Sequence, residues 1–66
     1  MSAARAGEIL RDLRGDKPRA EVAKACNISV SALSMYENGA RVPRDEIKRR
    51  IANFYNKSVQ SIFFSQ

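Results

Sequence analysis

Residues 21–43 read EVAKACNISVSALSMYENGARVP, and the spacing of apolar residues inside this run decides the fold. Val22, Ala23 and Cys26 fall on one side of a helix, and Ala32, Leu33 and Tyr36 repeat that spacing further along. Only Asn27, Ile28 and Ser29 separate Cys26 from Val30, so a tight turn joins the two helices. Asn enters the left-handed conformation more readily than most residues and can end a helix where Gly often does. Ser29 is a good N-cap, because its hydroxyl can accept from a free N–H of the next turn. The pattern predicts one helix ending at Cys26 and another running from Val30 to about Asn38, where Gly39 stops it.

Working outward, the helix that ends at Cys26 starts at Pro18, a residue tolerated in a helix's first turn, with Glu21 in the opening turn that favours negative charge. Upstream, Ala6, Leu10 and Leu13 mark one face of a helix over Ala3 to Arg14, with Ile9 at its edge and Gly15 and Asp16 ending it. Downstream, Pro43 resets the chain. Asp45 and Glu46 then open a fourth helix with Ile47, Ile51, Phe54 and Tyr55 inward. Ser58 caps a last short helix carrying Val59, Ile62 and Phe63. No β-branched run alternates with period two, and no linker divides the chain. The expectation is an all-α fold of five helices in a single domain over residues 1–66, with the paired helices at about 18–38.

Composition narrows the chemistry. The chain has 66 residues, 12 Lys+Arg against 7 Asp+Glu, and a net charge of +5. So short a chain buries only about 60% of its unfolded surface, so the core must be compact. With no His and Cys26 as the single cysteine, the usual zinc ligands and an internal disulfide are both missing, which fits a reducing cytosol. No apolar run approaches the ~20 residues that span a bilayer, and Met-Ser-Ala-Ala-Arg does not read as a signal peptide. Without His–carboxylate or Cys–His pairing, no enzyme, cofactor or metal is expected.

Two short helices joined by a tight turn form a helix-turn-helix arrangement. On a helical wheel, Val30, Ser31, Ser34, Met35 and Asn38 share the side of the third helix opposite Leu33 and Tyr36. That side carries no charge, whereas a solvated helix face more often carries Lys, Glu or Arg. The run from Glu21 to Pro43 closely resembles the Cro/repressor-type (lambda-repressor-like, or XRE) helix-turn-helix family of phage and bacterial transcription regulators. Ala6-Gly7-Glu8 and Leu13-Arg14 before it, and Ile51-Ala52 and Ser58 with Ile62-Phe63 after it, extend the likeness over nearly the whole chain. The chain departs from the family pattern in a shorter connection after Arg14, in Lys48 and Lys57 where apolar residues are commoner, and in Asn27 where Gly is common.

The resemblance implies a DNA-binding regulator, a repressor of a phage, prophage or mobile-element operon, with its third helix in the major groove of a double-stranded operator. It places Val30, Ser31, Ser34 and Met35 at base edges, and Arg19, Asn38, Arg41 and Arg44 at phosphates. The helix N-terminus near Pro18 would offer free N–H groups to a phosphate. Arg14 and Glu37 match a structural ion pair joining the first helix to the third. With no Arg or Gln on the reading face, direct readout would be weaker than in the best-known relatives, and DNA shape or Arg41 would contribute more.

The remaining features have simpler readings. Lys48, Arg49 and Arg50 form a charge run that reads as a solvated face of the fourth helix, and Arg5 and Arg11 read likewise. Cys26 reads as a small buried apolar residue, and Tyr36 as core with its hydroxyl at the rim. Ile62, Phe63 and Phe64 cannot all face inward on one short helix. They are the expected contact of a homodimer that reads a pseudo-palindrome, with Phe64 the most exposed. The expected location is the cytoplasm, on the nucleoid. The alternative is the same fold used as a protein-binding module, an antitoxin-like partner or an adaptor to another regulator, with the uncharged face as a protein contact.

Overall fold

A computed structural model of the chain describes residues 2–64. Five helices follow in order: α1 (Ala3–Arg14), α2 (Arg19–Cys26), α3 (Val30–Glu37), α4 (Asp45–Tyr55) and α5 (Val59–Phe63). The expected all-α, five-helix architecture is therefore the one observed. α1 packs on α3 and α5, α2 on α3 and α4, and α4 on α5.

Local chemistry sets the helix ends. The hydroxyls of Ser2, Ser29 and Ser58 accept from the backbone N–H groups of Arg5, Ala32 and Ser61 at 3.0–3.1 Å. Each such cap contributes about 1 kcal/mol. α2 and α4 both finish on an asparagine in the left-handed region, Asn27 (φ 57°) and Asn56 (φ 56°). The chain then folds back, with Ile28 N–H donating to the Ala23 carbonyl and Lys57 N–H to the Ala52 carbonyl, both at 2.9 Å. Two helix ends differ by one residue from expectation. Pro18 is extended (ψ 142°) and precedes α2 as its cap, and Asn38 sits just outside α3.

The core forms where the predicted inner faces meet. Val22 and Leu33 are fully buried at the α2–α3 contact, and Leu10, Ile51, Ile62 and Phe63 close around them. Truncating a side chain such as Leu33 to Ala should cost about 2–5 kcal/mol. α1 and α3 approach closely at Gly7, where only a hydrogen separates the Gly7 backbone from the carbonyl end of α3.

Two expectations fail here, for identifiable reasons. Ile62 and Phe63 are not free for a dimer contact: both are 1% exposed within the single chain, because α5 lays them against α1 and α4. Phe64 alone of the three lies on the surface. Lys48 is not part of a solvated face. It lies three and four residues before Ile51 and Ala52, on the same side of α4, and is buried. Its stem fills the corner between α4 and α5. Its ammonium lies 4.9 Å from the Phe64 ring centroid and 3.5 Å from the exposed carboxylate of Asp45.

Candidate nucleic-acid interface

α3 presents two unlike sides because its apolar residues are spaced for one face only. Leu33 and Tyr36 are buried. On the other side Val30 is 47% exposed, Ser31 and Asn38 are exposed, and Ser34 and Met35 are half-buried. Asn38 Nδ2 lies 3.4 Å from Ser34 Oγ, a weak link along this stripe. The one acidic residue of α3, Glu37, is turned entirely inward. The outward stripe is thus uncharged over the length of α3.

Three arginines stand at or follow the C-terminal end of α3. Arg41 and Arg44 lie on and beside the loop after α3, are exposed, and make no ion pair among the described residues. With Tyr36, Val42 and Ile47 they line a groove of about 400 Å³. Arg19 opens α2, and its Nε donates to Glu37 Oε1 at 2.8 Å.

Glu37 is the node that sets where α3 sits. Its carboxylate accepts from Arg14 Nε at 2.7 Å and from Arg19 Nε at 2.8 Å. Its backbone carbonyl accepts from Arg11 at 2.5 Å. Burial pushes the Glu37 carboxyl up, but the two guanidiniums outweigh it and hold the group below the usual glutamate range. The hydrogen bond to Glu37 in turn raises Arg14. The Tyr55 hydroxyl is buried and makes no hydrogen bond among the described residues. Burial, helped by the Glu37 charge, pushes it up to about 12.

Some of this network was not anticipated. Arg11 is not simply solvated, since it ties α1 to the last carbonyl of α3. Gly7, Arg11 and Arg14 stand at i, i+4 and i+7, one face of α1, and that spacing was a readable signal. The second partner of Glu37 carried no such signal, because Arg19 and Glu37 meet only when α2 crosses α3. Arg50 also leaves the expected solvated run: it pairs with Glu46 and donates to the Asn27 carbonyl, tying α4 to the turn. Arg49 remains exposed.

The family model described as Helix-turn-helix matches residues 8–62. The chain belongs to the lambda-repressor-like (XRE) helix-turn-helix family. No curated protein and no solved structure matches it significantly. The helix-turn-helix domain is a DNA-binding module of transcription regulators, and in this chain the motif proper is α2, the Asn27–Ser29 turn and α3. No helix among the described residues is long and apolar enough to cross a membrane, and none of their acidic or cysteine side chains cluster as metal ligands.

Proposed function

We propose that this helix-turn-helix domain is a sequence-specific double-stranded DNA-binding regulator that represses a phage, prophage or mobile-element operon by occupying its operator and blocking polymerase. The observation that carries this reading is the uncharged, outward stripe of α3, with Arg19 held on its last residue, Glu37, and the exposed Arg41 and Arg44 following it in the chain. A neutral stripe approaches base edges without repulsion from the phosphates, while these cations grip the strands.

In this reading α3 enters the major groove. Val30 and Met35 touch thymine methyl groups, and Ser31 and Ser34 hydrogen-bond to base edges. Arg19, Asn38, Arg41 and Arg44 contact phosphates, and the N-terminus of α2 adds its dipole. The stripe holds no bidentate Arg or Gln, so much of the discrimination comes from DNA shape. The Cα trace spans 28 Å in its longest dimension, so one copy covers one half-site of a pair spaced about 34 Å apart. Two copies, in contact through the exposed Phe64 or only through shared DNA, read the pseudo-palindrome on the nucleoid.

Selection of bound sites from a random duplex pool tests the proposal. The expected result is enrichment of paired, inverted half-sites about one helical turn apart. Failure to enrich any sequence, together with binding that does not weaken with salt, would overturn it and leave α3 as a protein-binding face.

A further inference from the structure

Glu37 holds two arginines, and they are not equivalent. Arg14 gives its Nε to the carboxylate and a terminal nitrogen to the Lys17 carbonyl at 2.9 Å, and its side chain is 17% exposed. Arg19 gives only its Nε; neither of its terminal nitrogens has a hydrogen-bond partner among the described residues, and its side chain is 38% exposed. The same buried carboxylate therefore locks one guanidinium into the body of the protein and leaves the other with donors to spare.

We infer that Glu37 is a positioning residue for DNA binding, acting through Arg19. Its Oε1 anchors the inner edge of the Arg19 guanidinium, and the terminal nitrogens then form a ready fork for a backbone phosphate beside α3. This deepens the proposed function and rests on it. The reasoning is geometric. An arginine that must find its rotamer on binding loses conformational freedom then, whereas one already bonded along one edge has lost it on folding. Planar guanidinium chemistry is what allows both bonds, because Nε and the terminal nitrogens donate along different edges of one rigid group. A lysine ammonium at position 19 would keep the charge but would have to serve the carboxylate and the phosphate from a single nitrogen. Glu37 is also fixed from behind, because Arg11 holds its backbone carbonyl and Arg14 holds its other carboxylate oxygen. The anchor is therefore rigid, and it belongs to the helix whose outer stripe is offered to the bases.

The test is fluorescence anisotropy with a labelled random-sequence duplex for the full chain and the variants Arg19→Ala, Arg19→Lys, Glu37→Gln and the double variant Arg19→Ala/Glu37→Gln, each checked for folding by urea denaturation. Arg19→Lys should lose about tenfold in affinity, close to Arg19→Ala, despite its retained charge. Glu37→Gln should lose a similar factor alone but less than about twofold when added to Arg19→Ala, the mark of one residue acting through the other. An Arg19→Lys variant that binds as tightly as the parent overturns the inference, and so does a Glu37→Gln loss of equal size in both backgrounds. Should Glu37→Gln fail to fold, Glu37→Asp, whose shorter side chain draws the carboxylate back from Arg19, takes its place in the same cycle with the same expected outcomes. A parent chain that binds no duplex at low salt overturns the DNA-binding reading itself, a result distinct from either of these.

Discussion

A Cβ placed on Gly7 would lie 2.5 Å from the carbonyl oxygen of Glu37. Neither side can yield cheaply. The contact is backbone to backbone, and Arg11 already holds that oxygen at 2.5 Å. Gly7 sits inside α1, where Ala would ordinarily stabilise the helix by about 1 kcal/mol. Overpacking a fixed contact costs about 1–3 kcal/mol, and here α1 must also shift against α3. Gly7→Ala should therefore lower stability by up to about 2 kcal/mol net, read as a lower urea midpoint with an unchanged m-value. A midpoint above the parent's would show that α1 and α3 do not meet this closely.

The lowered pKa of Glu37 gives the fold a defined acid limb. An acid whose native pKa lies below its unfolded one stabilises the fold when ionised, so the unfolded chain takes up protons first. The contribution is complete above the ordinary glutamate range, about 4.3, and is lost as pH falls through the native value beneath it. Thermal melts between pH 7 and pH 2 should show stability falling below that range. Glu37→Gln should be less stable at neutral pH and should flatten the fall. A parallel decline in both proteins would place the acid sensitivity elsewhere.

Lys48 should tolerate an uncharged replacement better than a short one. Its stem is buried against α5, and among the described residues its ammonium is served only by an exposed carboxylate and the aromatic rings. Lys48→Met keeps the unbranched volume and removes a charge from a largely dry site, so stability should stay within about 1 kcal/mol of the parent. Lys48→Ala should lose about 1–2 kcal/mol through the gap it leaves. Denaturant curves of the two variants separate these outcomes, and a Met variant less stable than the Ala variant would mean that the charge matters more than the packing.

On DNA, stripe and rim should respond differently to substitution. Arg44→Ala should weaken binding to all duplexes alike and reduce the salt slope, in log–log terms, by about 0.9. Met35→Ala should leave the slope unchanged and lower the ratio of selected to random DNA by about tenfold or more. Anisotropy titrations at several salt concentrations measure both quantities, and identical behaviour of the two variants would cancel the division of roles.

The parts of this fold that follow local rules were readable from the chain. Asn27 and Ser29 end and restart helices through their own backbone and hydroxyl chemistry, so the turn between α2 and α3 needed no tertiary information. The outward stripe of α3 followed from helical periodicity alone. What escaped depended on how helices cross. Arg19 and Glu37 are far apart in sequence, and nothing local shows that one carboxylate will serve two arginines. The charge of Lys48 suggests solvent, whereas its position on α4 places a long apolar stem beside Phe63 and Phe64. Three consecutive apolar residues suggest a shared dimer contact with Phe64 outermost, but α5 buries Ile62 and Phe63 against its own chain and leaves only Phe64 exposed.

The lone thiol of the chain, Cys26, sits at the end of α2 with Sγ 4.0 Å from the Arg50 carbonyl, sealed from solvent and pushed up in pKa by its burial. An alkylating reagent can capture it only in the moments when α2 lifts away from α4. The labelling rate of the unmodified protein is therefore an intrinsic clock for that opening, with no engineered probe to disturb the motion it times.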